Sequence, residues 1–308
     1  MQRVVVTGGT GFIGSWLIRE LTDRDIEVVA LVRAPGTFDK MTGENIQLLH
    51  SVVYDSAEYE ALKQSNKKID VFYHLAWAGV SSELKNECDI QLDNIRFSLQ
   101  MLDYAKEINA ERFIGIGTVA EYAFCESIMD VNARQTPSDM YGAAKTAAHY
   151  MLETRARMLQ MPFNWTVIPS TFGEGRKDNN IITYTITSLL RGRKPSYGSL
   201  QQMWDFLYVR EVVRALYMIG DKGVASKCYG IGSGVFKPLK EYIMIIRDMV
   251  NPKLELGIGD IPAYSEKVFS SCVSIYDLTK DTGFVPQISF EEGISKTIQY
   301  WSAKIKNG

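Results

Sequence analysis

The chain has 308 residues, of which 46% are hydrophobic and 23% charged, and its 34 basic and 36 acidic side chains leave a formal net charge of -2. This composition is typical of a globular protein and excludes the disordered, collagen-like and small disulfide-rich classes. The balanced charge, without a block of Lys or Arg, argues against a nucleic-acid surface, which needs concentrated positive charge. We therefore expect no nucleic-acid partner.

The N-terminus and the hydropathy pattern predict neither a secretory signal nor a membrane helix. Met1 is followed by an apolar segment and a glycine loop, not by a basic region and a cleavage site. No apolar run approaches the roughly 18 residues that a membrane helix requires. We expect a cytoplasmic protein without a membrane partner.

The cysteines predict no metal site. They are far apart, show no CxxC spacing and share the chain with only 3 histidines: Cys88, Cys125, Cys228 and Cys272. We expect reduced, buried thiols and no bound metal.

Short β-branched segments alternate with segments of helical periodicity in the first half of the chain. Strands are predicted over 4–7, 28–32, 48–53, 71–75, 112–116 and 165–168, and helices over 12–22, 89–108 and 140–160. This order is typical of βαβ units and predicts an α/β protein with a parallel sheet.

The pattern becomes less regular after Pro169, where Gly-rich and Pro-containing turns are frequent. Helices are predicted over 209–220 and 239–250, and a short strand over 228–231 returns to the first sheet. We therefore expect two interleaved domains. The first domain comprises 1–168 with 206–232, and the smaller lobe comprises 169–205 and 233–308.

A glycine-rich loop, TGGTGFIG over residues 7–14, joins the first predicted strand to the first helix. Glycine lets the chain turn sharply and lets backbone N–H groups approach a pyrophosphate at the helix N-terminus. The loop therefore predicts a dinucleotide site, with an ordinary tight turn as the alternative. The candidate contacts are Gly8, Gly11, Phe12, Ile13 and Gly14.

Arg33 follows the second predicted strand, about twenty residues past the loop, where an NAD-specific site places a carboxylate against the ribose 2′-hydroxyl. An Arg fork can instead pair with a 2′-phosphate through charge-assisted hydrogen bonds. Arg33 therefore favours NADP over NAD. A solvated Arg at a strand end is the alternative.

Three side chains form a candidate catalytic group. Tyr141 and Lys145 in YGAAK are four residues apart, which places them on the same face of a helix. A nearby cation favours phenolate, so Lys145 is expected to lower the pKa of Tyr141. Thr118 follows a strand at the edge where ligands bind, and could hold a carbonyl oxygen that Tyr141 protonates. A surface helix with an unrelated Tyr and Lys is the alternative.

His74 closes the fourth predicted strand. We interpret it as a structural histidine.

The chain resembles the extended short-chain dehydrogenase/reductases of the NAD(P)-dependent epimerase/dehydratase family, whose members act on nucleotide sugars. The resemblance covers nearly the whole length. It rests on TGGTGFIG at 7–14, Asp55, HLAWAG at 74–79, Asn94, GTVAEY at 117–122, YGAAK at 141–145, PSTFGEG at 169–175, WDFLYV at 204–209, YGIGSG at 229–234 and the terminal GFVPQISFEEGISKTIQYW.

The resemblance implies a Rossmann doubly wound parallel sheet with a smaller C-terminal substrate lobe. It also implies that Thr118, Tyr141 and Lys145 carry the chemistry. Further cofactor contacts would be Asp55 on the adenine side, Leu75, Ala76, Tyr141 and Lys145, with Pro169 and Thr171 near the nicotinamide. The implied substrate contacts are Thr118, Val119, Asn179, Asn180 and Arg193.

Departures from the family pattern narrow the activity. In the family's 4,6-dehydratases acids follow the active-site threonine, whereas Val119 and Ala120 stand here. Glu121 comes one position later, where strand-to-loop geometry is expected to aim it elsewhere. The GTVAEY variant is similar to CDP- and dTDP-sugar 4-ketoreductases. Ile168 replaces an Arg that often precedes the proline in relatives.

We expect reduction of a nucleotide-linked 4-keto-6-deoxyhexose by NADPH, or the reverse oxidation. A nucleotide-sugar 4-epimerase with tightly bound NAD is the main alternative, and a non-catalytic NADP(H)-binding sensor is a third. The resemblance also implies a homodimer, formed through a four-helix bundle of the helix at 89–108 and the helix that carries Tyr141.

Overall fold

The structure is a computed structural model that describes residues 1–38, 46–65, 67–122, 128–176, 180–262 and 272–306. The strands within these ranges are β1 (Arg3–Thr7), β2 (Glu27–Val32), β3 (Leu49–Val53), β4 (Val71–His74), β5 (Phe113–Thr118), β6 (Phe163–Ile168), β7 (Ser170–Phe172), β8 (Ser196–Tyr197), β9 (Met203–Trp204), β10 (Phe206–Tyr208), β11 (Lys227–Gly230), β12 (Lys237–Pro238) and β13 (Gly257–Ile258).

Helices lie between the strands of this part of the chain. They are α1 (Phe12–Thr22), α2 (Ala57–Gln64), α3 (Cys88–Glu107), α4 (Met140–Met158), α5 (Ile181–Leu190), α6 (Val209–Lys222), α7 (Leu239–Val250), α8 (Tyr276–Thr282) and α9 (Phe290–Lys306). A short 3-10 turn, Val119–Tyr122, follows β5 directly.

Seven strands form a parallel sheet in the order β11-β6-β5-β4-β1-β2-β3. The chain runs outward from β1 through β2 and β3 on one side, and from β4 through β5 and β6 on the other. Such a reversal leaves a crevice at the carboxyl ends of β1 and β4, where open α/β sheets bind ligands. The predicted α/β Rossmann-type fold is confirmed.

Both faces of the sheet are covered, which explains why its strands are nearly continuous apolar runs. Val5 packs in a core cluster with Leu102 of α3 and Leu152 of α4. Its neighbour Val4 packs in a second cluster with Leu17 of α1 and Leu216 of α6. Successive strand side chains point to opposite faces, so each strand contributes to both layers.

A third cluster forms the smaller C-terminal lobe, with Ile186 of α5, Ile243 of α7 and Ile294 of α9 at its centre. Strand β11 lies in the large sheet beside β6. Helix α8 packs on α6 and β11, although the expected boundary put it in the smaller lobe. The domain boundaries therefore stay a prediction.

The cysteines differ in part from the expected buried thiols. Cys272 is buried and Cys228 is half-buried, but Cys88 is exposed at the start of α3. Cys125 lies outside the described residues. In the described ranges, no helix combines the length and the apolar composition needed to cross a membrane.

Candidate functional site

The glycine loop between β1 and α1 closes tightly against the end of β4. Gly8 has a φ of +71°, and a Cβ there would lie 2.6 Å from the backbone nitrogen of Ala76. A Cβ on Gly14 would lie 2.2 Å from the Gly8 carbonyl oxygen. Side chains at these two positions would therefore push the loop out of the crevice.

The start of α1 fits an anionic ligand. Gly11 is exposed, caps the helix without a side-chain hydrogen bond, and no acidic residue occupies the first turn. The first N–H groups of a helix lack partners within it and carry partial positive charge. Phe12 and Ile13 follow, half-buried. The loop and helix start therefore fit the phosphates of a dinucleotide.

The other predicted cofactor residues lie at the same carboxyl edge of the sheet. Arg33 is exposed directly after β2, close to the side chain of Tyr54. Asp55 is exposed near the end of β3, with a φ of +58°. Leu75 and Ala76 follow β4 and are half-buried. Which of them contact a cofactor stays a prediction.

The segment after β6 lies against the start of α1. Pro169 is buried, and its carbonyl oxygen accepts a hydrogen bond from the hydroxyl of Thr171. Further along, the Glu174 carbonyl oxygen accepts a hydrogen bond of 2.9 Å from Nε1 of Trp16 on α1. This segment therefore borders the crevice from the side of the smaller lobe.

The first turn of α4 packs directly on the 3-10 turn that follows β5. Gly142 permits this approach, because a Cβ there would lie 2.4 Å from the Ala120 carbonyl oxygen. Asp139 caps the helix by accepting a 2.8 Å hydrogen bond from the Gly142 N–H. The contact brings Tyr141 beside Thr118, although 22 residues lie between them in the sequence.

Tyr141 and Thr118 form a side-chain hydrogen bond. Burial raises the pKa of Tyr141 to about 12, while the hydrogen bond with Thr118 acts to lower it. The pKa of Tyr141 is therefore raised, whereas Lys145 was expected from the sequence to lower it. The phenol therefore keeps its proton at neutral pH.

Lys145, one helical turn further, is buried and points toward the interior. Its Nζ donates a 2.6 Å hydrogen bond to the Ile116 carbonyl oxygen and lies 3.8 Å from the ring centre of Trp77. Burial lowers the pKa of Lys145, and the charge of Glu121 opposes that shift. The structure thus brings Thr118, Tyr141 and Lys145 to one end of the sheet; their roles stay a prediction.

His74 has a structural environment. Its Nδ1 and Nε2 each lie 2.9 Å from a hydroxyl oxygen, of Thr7 and of Ser98 respectively. Burial lowers its pKa to about 3, so the ring is neutral. Both ring nitrogens are occupied within the protein, which agrees with the interpretation as a structural histidine.

The predicted substrate residues do not converge. Val119 is half-buried in the 3-10 turn beside Thr118. Asn180 caps α5, where its Oδ1 accepts hydrogen bonds from the Ile182 and Thr183 N–H groups. Arg193 is exposed beyond the other end of α5, which at 1.5 Å per residue is about 15 Å long. Asn179 lies outside the described residues.

Two residues at this end of the sheet were missed by sequence reasoning. Trp77 contacts Lys145 and makes an edge-on contact with the Tyr141 ring, 6.4 Å between centres. Arg176 donates a hydrogen bond to the Thr171 carbonyl oxygen and lies over the Phe12 ring at 5.7 Å. The available signal was their position, inside HLAWAG and directly after PSTFGEG.

Comparison with known proteins agrees with this arrangement. Residues 4–232 match the model of the NAD dependent epimerase/dehydratase family. A curated relative, the dTDP-glucose 4,6-dehydratase of Escherichia coli, is 25% identical in an alignment covering 97% of this chain and 93% of the relative.

Two solved structures share the fold over nearly their whole length. The UDP-N-acetylglucosamine 4-epimerase from Methanobrevibacter ruminantium M1, in complex with UDP-N-acetylmuramic acid, has a TM-score of 0.86 and 22% identity, with 98% of this chain and 99% of that chain covered. The UDP-glucuronic acid 4-epimerase from Bacillus cereus, in complex with UDP-glucuronic acid and NAD, has a TM-score of 0.83 and 19% identity, with 98% and 100% covered.

The predicted role of the glycine loop in dinucleotide binding can be tested with Gly8→Ala. We expect a loss of NAD(P) affinity of at least about tenfold, because the new Cβ meets the backbone of the β4 end. Gly192→Ala is the matched control, since Gly192 also has a positive φ but has open space around it. Fluorescence titration with NADPH and NADH measures both variants. Equal affinities in Gly8→Ala and the unmodified protein would contradict the assignment.

Proposed function

The chain belongs to the NAD dependent epimerase/dehydratase family, and on that premise we propose that it reduces a nucleotide-linked 4-keto-6-deoxyhexose with NADPH. The family match confirms the resemblance to extended short-chain dehydrogenase/reductases, a class of NAD(P)-dependent enzymes. The observation that carries the proposal is the hydrogen-bonded pair of Thr118 and Tyr141 beside the crevice.

Tyr141, Thr118 and Lys145 have different roles in the proposed reduction of a ketone. A bound nicotinamide supplies the hydride. Tyr141 donates a proton to the carbonyl oxygen, and its raised pKa keeps that proton on the phenol at neutral pH until it is transferred. Thr118 hydrogen-bonds the same oxygen as negative charge develops on it. Lys145 contributes a positive charge on the same helix face, where it would also hold the nicotinamide ribose.

The substrate class follows from the relatives. The dehydratase and both epimerases are named for reactions at position 4 of a nucleotide-linked sugar. A ketone at that position is the group that a protonated tyrosine and a hydride donor convert to an alcohol. This reasoning supports a 4-keto sugar as the substrate.

Loss of water, the reaction named for the Escherichia coli relative, is disfavoured by the chain's own residues. Val119 and Ala120 follow Thr118, so the acids of the dehydratase pattern are absent at these positions. The Glu121 carboxylate is buried and accepts the backbone N–H of Thr118. It is therefore engaged inside the protein and has no exposed surface with which to meet the sugar.

A 4-epimerase with tightly bound NAD is the second candidate, favoured by the two structural neighbours of that name. It would use Tyr141 first as a base and then as an acid. The amount of cofactor consumed per sugar converted distinguishes the reductase from the epimerase. Stoichiometric NADPH consumption with a dTDP-linked 4-keto-6-deoxyhexose supports the reductase. Product formation from a 4-hydroxy nucleotide sugar at constant, retained NAD supports the epimerase and contradicts the reductase.

Tyr141→Phe tests the proton donor. We expect kcat for keto-sugar reduction to fall about 10²- to 10⁴-fold, because the reacting oxygen loses its acid. The Kd for NADPH is expected to stay within about threefold, since the ring remains. Tyr276→Phe, at an exposed tyrosine, is the control. Near-normal turnover by Tyr141→Phe would show that another group donates the proton.

Arg33→Asp tests the preference for NADP. We expect the Kd for NADPH to rise about 10- to 100-fold, because a charge-assisted contact to the 2′-phosphate becomes a repulsion. NADH lacks that phosphate, so its Kd is expected to change little. Arg157→Asp, at an exposed Arg near the end of α4, controls for net charge. Equal changes in the Kd values for NADPH and NADH would show that Arg33 does not bind the 2′-phosphate.

We also propose a homodimer through α3 and α4, which pack side by side. Large apolar side chains are exposed on these helices: Leu92, Tyr150, Met151 and Met158. Light scattering is expected to give twice the chain mass of 34.7 kDa. Met151→Asp is expected to shift the protein to monomer, because it buries a charge in the interface. Val285→Asp, at an exposed valine elsewhere, is the control. A monomeric native protein would contradict this proposal.

A further inference from the structure

A fully buried carboxylate lies directly behind the Thr118 end of β5. The Glu121 side chain is 0% exposed. Its Oε1 accepts the backbone N–H of Thr118 at 2.9 Å and Nε1 of Trp165 at 3.2 Å. Its Oε2 accepts Nε2 of Gln135 at 3.1 Å. Three donors from three parts of the chain therefore converge on one charge.

The 3-10 turn after β5 builds this arrangement. Thr118 accepts the Ala120 N–H with its hydroxyl oxygen, while Glu121 reaches back to the Thr118 N–H. These reciprocal bonds resemble a capping box, with the acid three residues after the threonine, except that the hydroxyl accepts the N–H of the second residue and not the third. Gly117 leaves room for it, because a Cβ there would lie 2.4 Å from Oε1 of Glu121 and 2.3 Å from Nε1 of Trp165. The buried Glu121 carboxylate thus fixes the backbone at Thr118.

The Glu121 carboxylate and the Lys145 ammonium lie against the same indole, because Glu121 accepts Nε1 of Trp165 at 3.2 Å and Nζ of Lys145 lies 5.9 Å from the centre of that ring. The titratable groups that face the carboxylate from the packed elements are Tyr122 on its own turn, Tyr141, Lys145 and His149 on α4, and Cys228 on β11. Burial lowers the pKa of His149 to about 4, so that ring is neutral near pH 7. Of these five groups, only Lys145 can be positive at neutral pH.

The two buried charges support each other. Burial disfavours the charged form of both groups, raising the pKa of Glu121 and lowering that of Lys145. Each charge opposes the shift of the other. Without a negative charge at residue 121, Lys145 would lose its proton at a lower pH.

We propose that Glu121 is a positioning residue of the active site, which fixes Thr118 through its backbone N–H and keeps Lys145 charged without itself touching the substrate. This inference rests on the proposed function for its kinetic consequence, because Thr118 and Lys145 are the groups that act there. Under this proposal Glu121 has a structural and electrostatic role and takes no part in the elimination of water.

Glu121→Gln separates the charge from the hydrogen bonds. The amide oxygen can still accept from Thr118 and Trp165. The new NH₂ can donate to Oε1 of Gln135 after rotation of that amide, since this buried oxygen has no hydrogen-bond partner among the described residues. The variant therefore keeps its shape and loses one charge. Glu153→Gln on α4 is the matched control, because Glu153 lines a cavity that Trp165 also borders and is not among the groups that shift the pKa of Lys145.

The test measures NADPH oxidation with a dTDP-linked 4-keto-6-deoxyhexose between pH 6 and 9. In Glu121→Gln we expect the alkaline fall of kcat to move about one unit to lower pH, because Lys145 then deprotonates earlier. On the alkaline side this gives about a tenfold loss of kcat. KM is expected to stay within about twofold. Glu121→Asp retains the charge and is expected to keep the pH profile near that of the native protein.

Titration of ¹³C-labelled lysine by NMR reads the pKa of Lys145 directly, with Lys145→Met to assign the signal. We expect a lower pKa in Glu121→Gln and no change in Glu153→Gln. An unchanged Lys145 pKa, or an equal loss of kcat at every pH with a lowered Tm, would overturn the proposal. If the native protein fails to reduce keto sugars while the NMR shift is found, the proposed function fails and the charge coupling stands.

Discussion

The close contact between the first turn of α4 and the turn after β5 is the constraint on which the candidate site depends. It exists because Gly142 has no side chain to separate the helix from the Ala120 carbonyl oxygen. Asp139 caps the start of α4 and also forms an ion pair with Lys85 at 2.9 Å. This ion pair connects the first turn of α4 to the segment before α3. With that approach in place, Tyr141 meets Thr118. Without it, the two side chains would lie apart, because they belong to different elements, β5 and α4.

The two halves of the site are built by different physical means. The half proposed for the cofactor is defined by backbone, because Gly8 and Gly14 leave no space for side chains and the loop fits closely against the end of β4. The half proposed for the sugar is defined by side chains from several elements, among them Trp77, Arg176 and the buried Glu121. The chain shares its fold with two 4-epimerases at only 22% and 19% identity. Fold-level likeness constrains the first half much more than the second.

The sequence predicted the parallel sheet well because its strands are buried on both faces and read as apolar runs. α1 and α7 were predicted with their observed bounds, Phe12–Thr22 and Leu239–Val250. α2 and α5 were missed, since their short segments carry little periodic signal.

Spacing along the chain also predicted which side chains would share an edge, because the carboxyl ends of parallel strands meet there. It did not predict the direction of the Tyr141 pKa, which depends on burial by residues distant in sequence. For the same reason it could not place Trp77 over Lys145. Nor did it predict that Asn180, which the resemblance implies as a substrate contact, caps α5; its contact with a substrate stays a prediction.

The position of Trp77 has a practical consequence for solution work. Its indole ring lies against both Tyr141 and Lys145 and is only half-buried. A reduced nicotinamide at the proposed cofactor site would quench this indole, because the emission of indole overlaps the absorption band of the reduced ring. Emission from Trp77 would then report binding at the proposed site without an attached dye.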